Sequence, residues 1–174
     1  MTGMIAGDSR ILITGACGFV GGHVLRKLLA RHPPPTLFAW SHSVPPKRAD
    51  AEKLHWRQVD IRDATAVEEA VRDSQPTHLL HLAGAAHVGT SFEDPRATWS
   101  VNLMGSLNLL EAVQRAAPQA QCLLVSSSEV YGDAFNTGEP LGEDAPIRPQ
   151  NPYAASKAAA ELMAATYVLS LIHI

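Results

Sequence analysis

The sequence predicts an α/β fold built on a doubly wound parallel sheet, and three observations carry that expectation. Four short apolar runs, residues 11–14, 37–40, 78–83 and 121–126, are bounded by turn residues and suit strands buried on both faces. Stretches of helical spacing lie between them, so strand and helix alternate along the chain. A glycine-rich turn follows the first run directly. With 174 residues, 46% of them apolar, the chain is long enough for about one domain with a real core.

In chain order, the strand at 11–14 leads into a stripe of Val20, Val24, Leu25, Leu28 and Leu29, which predicts a helix ended by Pro33, Pro34 and Pro35. The strand at 37–40 follows, then a weaker strand at 55–59. A short helix over 64–71 is announced by Asp63 as a possible cap. After the strand at 78–83, Val101, Leu103, Leu107, Leu110 and Val113 mark one long helix that ends before Pro118. The strand at 121–126 comes next. Residues 132–150, rich in Gly, Pro and acids, read as a long loop of the kind that is usually functional. The last helix opens at Asn151 as cap, with Pro152 in its first turn.

Composition excludes several classes of function. Lys and Arg number 14 against 17 Asp and Glu, a net charge of −3, which argues against a nucleic-acid partner. The two cysteines, Cys17 and Cys122, rule out a disulfide scaffold and show no metal-ligand spacing, so no metal is expected. No apolar run reaches the roughly 18–20 residues of a membrane span, and the first residues lack a signal-peptide core. A cytoplasmic protein with no membrane partner is the expectation.

The chemistry concentrates at strand ends. Gly15, Cys17, Gly18, Phe19, Val20 and Gly21 form a GxxGxxG turn between first strand and first helix, where backbone N–H groups and the helix N-terminus can hold a pyrophosphate. Asp60 and Ile61 suit an adenine site, the carboxylate accepting from the amino group and the isoleucine covering the ring. Leu82, Ala83 and Gly84 are small enough to let a cofactor pass, while His81 reads as a satisfied strand-end histidine. At the end of the second strand Trp40, Ser41 and His42 offer no acid to reject a 2′-phosphate, and Lys47 and Arg48 follow. The cofactor is therefore NAD or NADP, with NADP weakly favoured. Tyr153 and Lys157, four apart, share one helical face, so that an ammonium can lower the phenol's pKa for proton transfer. The run Ser126, Ser127, Ser128 and Glu129 brings hydroxyls to the crevice end of its strand.

TGACGFVG (14–21), VDIRD (59–63), HLAG (81–84), VNLMGSLNLLEA (101–112), SSSEVYG (126–132) and NPYAASK (151–157) occur in the order seen in extended short-chain dehydrogenases/reductases, the NAD-dependent epimerase/dehydratase family, which the chain resembles over nearly all of residues 10–168. The resemblance implies an NAD(P)-binding Rossmann domain over 10–168 behind a tail at 1–9. It also implies a nucleotide-sugar substrate and a homodimer formed through long helices. It makes Tyr153 the catalytic acid and base, and Lys157 its partner on the nicotinamide ribose. Ser127 becomes the hydroxyl that orients the sugar C4 oxygen, and Asn102 the asparagine that bends the long helix beside the cofactor. The segment from Ala86 to Pro95, with His87 and Ser91, is similar to that of GDP-mannose 4,6-dehydratases and GDP-6-deoxy-4-keto-mannose reductases, which implies substrate contacts at His87, Ser91, Ser127 and Ser128. Glu129 stands where sugar 4,6-dehydratases carry the base that removes the C5 proton. A 4-epimerase uses the same Ser/Tyr/Lys set. A non-catalytic dinucleotide-binding module, or a reductase of non-sugar ketones, is a rival reading that the pairing of Tyr153 with Lys157 and the segment 86–95 argue against.

Such enzymes continue with a sixth strand and a C-terminal substrate region. Here the chain ends on LSLIHI (169–174), which is also the in-frame translation of the transposon end CTGTCTCTTATACACATC. The expectation is an incomplete Rossmann domain with a non-native tail over 169–174, inactive by itself.

Overall fold

The computed structural model describes residues 8–44 and 51–171. Five strands form one sheet in the order β3-β2-β1-β4-β5, all neighbours parallel. They are β1 (Arg10–Thr14), β2 (Thr36–Ser41), β3 (His55–Gln58), β4 (His78–His81) and β5 (Gln121–Leu124). The order reverses between β1 and β4, which opens a crevice at the C-terminal ends of those two strands. This is the Rossmann-type arrangement. The weaker expected strand at 55–59 pairs with β2 at the edge.

Alternation along β1 divides the core in two. Ile11 and Ile13 join Leu25, Leu37, Ala39 and Leu54 on one face, packed by α1 (Phe19–Leu29). Leu12 on the other face meets Trp40, Val67, Val71, Leu79, Leu109 and Val113. That second layer is carried by α2 (Ala64–Ser74) and α5 (Gly105–Ala116). α2 starts where Asp63 directs: its Oδ1 accepts the Ala66 N–H at 3.0 Å. It runs three residues past the expected end and stops on Gln75, which adopts a left-handed φ of 40°.

The single long helix expected to begin at Val101 is a composite. After α3 (Val88–Glu93), α4 (Pro95–Trp99) begins under an Asp94 cap. It then widens into a π turn over Ser100–Met104 and continues as α5. Gly105 makes room for this path, because a Cβ there would lie 2.6 Å from Ile61 Cδ1. The loop expected over 132–150 opens with 3₁₀ turns over Ser128–Thr137, broken at Gly132. Its far end is tied back by Arg148 N–H to Val130 O at 2.9 Å. α6 (Pro152–Leu171) closes the described fold, and Asn151 Oδ1 caps it through Ala154 N–H at 2.8 Å.

Among the described residues β5 has one neighbour, and Leu123 on it and Val125 just after it remain 56% and 44% exposed. Among the described residues no helix is long and apolar enough to cross a membrane. Replacing Asp63 with alanine removes the α2 cap and is expected to lower stability by about 1 kcal/mol. The urea midpoint should fall while the m-value stays unchanged.

Candidate functional site

The strand ends surround a groove of about 510 Å³. Gly15, Cys17 and Gly18 form one wall, Asp60, Ile61 and Arg62 a second, and Leu82, Ala83 and Gly84 the floor. The glycine turn has this shape because side chains are excluded from it. Gly15 sits at φ +67°, and a Cβ there would lie 2.7 Å from Ala83 N. A Cβ on Gly21 would meet Gly15 O at 2.5 Å, so α1 starts directly against the turn. Phe19 and Val20 project from it, 84% and 54% exposed. Backbone N–H groups and a helix N-terminus facing a groove are suited to an anion.

Leu82 and Gly84 also line a second cavity of about 140 Å³, with Val20, Ala86, Asn102, Val125, Ser126, Tyr153 and Lys157. The helix α6 thus delivers its first-turn tyrosine and the lysine one turn on to a space adjoining the groove. Lys157 Nζ donates to Val125 O at 2.6 Å. Burial holds this ammonium below the usual lysine value, while Glu161 pulls the other way.

Asn102 ties this corner together. Its Oδ1 accepts Ala85 N–H at 2.8 Å, and its Nδ2 donates to Ala85 O at 3.1 Å and to Ser156 Oγ at 2.9 Å. Ser156 in turn donates to Tyr153 O at 2.7 Å. Beneath it His81 is buried, its ring nitrogens on Thr14 Oγ1 at 2.7 Å and Ser106 Oγ at 3.0 Å. Burial, helped by the Lys157 charge, pushes its imidazole down to about 3.

Several expectations need adjustment. Ser91 is fully buried and its hydroxyl donates to Val88 O at 2.6 Å within α3. His87 is exposed and serves as the α3 cap, its Nδ1 accepting from Thr90 N–H at 3.4 Å. Asp60 does line the groove, but its carboxylate is forked onto the Arg62 guanidinium at 2.9 and 2.6 Å. That partner holds its pKa down to about 2. The serine lining the small cavity is Ser126, whose Oγ is buried without a hydrogen-bond partner. Ser127 Oγ accepts Glu129 N–H at 3.2 Å instead. Ser128 is exposed, as is Glu129, whose Oε2 accepts from Asn151 Nδ2 at 3.3 Å. Lys47 and Arg48 lie outside the described residues. Sequence spacing missed Ser126, Arg62 and Ser156. For Ser126, strand alternation with Cys122 and Leu124 was the available signal.

The family described as GDP-mannose 4,6 dehydratase matches the chain over residues 12–171. GDP-6-deoxy-D-mannose reductase of Pseudomonas aeruginosa is 34% identical over 152 residues, 87% of this chain and 45% of that one. Among solved structures, the UDP-glucose 4-epimerase of Thermus thermophilus complexed with NAD has a TM-score of 0.81 at 38% identity, covering 94% of this chain and 52% of its own. RMD of Pseudomonas aeruginosa complexed with NADPH has a TM-score of 0.74 at 31% identity, covering 95% and 50%. The chain spans about half the length of the relatives it matches.

The His81 environment has a pH consequence. The unfolded chain takes up a proton near the ordinary value of 6.5, which the folded chain refuses until about 3. Stability from this group is therefore complete above about pH 6.5 and is lost progressively on acidification toward about pH 3. Urea midpoints taken from about pH 7 to about pH 4 should fall in the native chain, and less steeply in His81→Asn.

Proposed function

Since the chain belongs to the GDP-mannose 4,6 dehydratase family, we propose that it is an NAD(P)-dependent enzyme of nucleotide sugars that exchanges hydride at sugar C4. The observation that carries the reading is convergence: Tyr153, Lys157 and Asn102 share one cavity, and that cavity adjoins the glycine-lined groove through Leu82 and Gly84. A nicotinamide dinucleotide fits the cradle at Gly15, where any Cβ would occupy the space between turn and floor. Gly15, Cys17, Gly18, Phe19, Val20 and Gly21 would hold its phosphates, and Asp60 and Ile61 its adenine side. Leu82, Ala83 and Gly84 would pass its middle, and Asn102, Tyr153 and Lys157 its nicotinamide ribose. When bound, that group supplies or accepts the hydride.

The protein's part is proton handling and alignment. Tyr153 as the tyrosinate takes the proton from the sugar O4 hydroxyl, or as the phenol gives its proton to a C4 carbonyl oxygen. The Lys157 ammonium stands one helical turn along on the same face. Ser127 accepts from Glu129 N–H, which directs its own hydrogen toward another acceptor, the O4 atom in this reading. Glu129 gives the dehydratase branch its support. Once C4 is a ketone the C5–H is acidified, and Glu129 takes that proton and hands it to the C6 hydroxyl, which leaves as water. The hydride first removed from C4 would return at C6, so that the net loss is one water. Asn151 holds this carboxylate at the mouth of α6, so the group is anchored to the helix that carries Tyr153. Ser128 and His87, both exposed, remain candidates for contact with the sugar nucleotide.

NADP is the preferred dinucleotide in this reading. The end of β2 presents Ser41, His42 and Ser43 to the groove with no carboxylate among them, and Asp60 is already paired with Arg62. The similarity to RMD complexed with NADPH points the same way. Self-association across the long helices belongs to the proposal, Met104 and Leu162 being 47% and 64% exposed. A 4-epimerase is the second reading, favoured by the similarity to UDP-glucose 4-epimerase.

In a version extended to the full length of its relatives, Tyr153→Phe is expected to abolish turnover of nucleotide sugars while lowering dinucleotide affinity less than about tenfold, the phenol being one of several contacts to the dinucleotide. Product mass separates the branches: loss of one water marks dehydration, gain of two hydrogens reduction, and an unchanged mass with inverted C4 epimerisation. Gly15→Ala forces a strained φ that costs about 1–3 kcal/mol and should weaken dinucleotide binding at least roughly tenfold, measured by calorimetry. Wild-type affinity in that variant would refute the placement of the phosphates.

A further inference from the structure

The hydrogen bonds under the groove can be assigned a direction. Ser106 Oγ donates to Asn102 O at 2.6 Å, which uses its one hydrogen. At the 3.0 Å contact with His81 the serine must therefore accept, so the proton is on Nε2. A neutral imidazole carries one N–H, which leaves Nδ1 bare, and Thr14 donates to it at 2.7 Å. Thr14 Oγ1 accepts in turn from Ala83 N–H at 3.1 Å. Each hydroxyl gives once and takes once, in a continuous line from Ala83 N–H through Thr14, His81 and Ser106 to Asn102 O. Bonds ordered head to tail in a buried setting polarise and strengthen one another.

From these bonds we infer that His81 and Ser106 are positioning residues. Locked as the Nε2–H tautomer, His81 fixes the Ala83–Ala85 floor of the groove against the π turn, and through Asn102 and Ser156 fixes the start of the Tyr153 helix. The inference rests on the groove being the dinucleotide site. β1 and β4 are neighbours, so their pairing alone aligns Thr14 with His81. Ser106 belongs to a different element, α5, and the His81–Ser106 bond joins that helix to the sheet. The π turn is held through the Ser106 bond to Asn102 O. A charged imidazole would break the line, because its second N–H would meet Thr14 Oγ1 and leave the threonine hydrogen without this acceptor. Substitutions along the line should loosen the groove floor even though none of these side chains has to touch the reacting atoms.

The test starts with ¹⁵N-histidine NMR on the unmodified chain. It should report His81 as neutral Nε2–H, unchanged on acidification through the ordinary value of 6.5. The Nδ1–H tautomer, or an imidazolium at neutral pH, overturns the inference with no variant needed. Ser106→Ala should then speed hydrogen exchange at the Ala83 and Ala85 amides at least roughly tenfold and weaken NADPH binding about three- to tenfold. Ser106→Thr, which keeps the hydroxyl, should restore both. Thr14→Val is the isosteric second variant, expected to leave the proton on Nε2, where Ser106 still accepts it, and to expose the Ala83 amide. Val71→Ala, in the remote α2 core, serves as the control that lowers Tm without moving either readout. Exchange and affinity at wild-type levels in Ser106→Ala would sink the positioning role. If NADPH and NAD fail to bind the unmodified chain, the groove reading falls, while tautomer and exchange still decide whether the tie exists.

Discussion

Parallel pairing obliges every strand to release the chain at the same rim of the sheet, and the rest of this molecule is arranged around that constraint. β1, β2, β3, β4 and β5 end at Thr14, Ser41, Gln58, His81 and Leu124, so five connecting segments compete for one edge. Because the order reverses between β1 and β4, the connections after those strands diverge to opposite faces and leave a gap between them. The glycine turn, the small residues 82–84 and the start of α6 are the walls of that gap. Their composition follows from crowding: three backbone segments approach closely enough that a Cβ at Gly15 or Gly21 would collide with main chain.

Within the gap the decisive bonds are made by buried neutral polar groups. Asn102 is 2% exposed and meets its hydrogen-bonding capacity with Ala85 and Ser156. Such a network is stabilising only when complete, because an unpaired buried polar atom costs about 1–3 kcal/mol. The charged pairs, Arg62 with Asp60 and Arg57 with Asp73, are more than a third exposed and contribute less to stability. The π turn makes the completeness possible. Its extra residue per turn rotates Asn102 inward from a helix that otherwise buries Leu109, Leu110 and Val113.

Much of this was legible in the residues. The Ile-Leu-Ile core of β1, the Asp63 cap, the glycine turn and the YxxxK face all follow from local rules that the fold respects. The π turn was hidden because no residue type marks it, and Val101, Leu103 and Leu107 keep helical spacing straight through it. The two short helices before it were missed for another reason: TSFEDPRATW is mostly polar and has no apolar stripe to betray a period. Side-chain pairing across elements was least visible. Asp60 reads as an available acceptor until Arg62, two residues on, folds back over it, and nothing in the residues around Ser91 tells that its hydroxyl is spent on Val88 O within α3.

β5 is braced laterally by β4 alone, and its end is gripped by the Lys157 ammonium at Val125 O. A strand supported in this way behaves as a cantilever. A displacement of Val125 is carried by that grip into α6. The Lys157 ammonium is thus also a mechanical anchor. Whatever packs against the open side of β5 sets the stiffness of the mount on which the proton-transfer group stands.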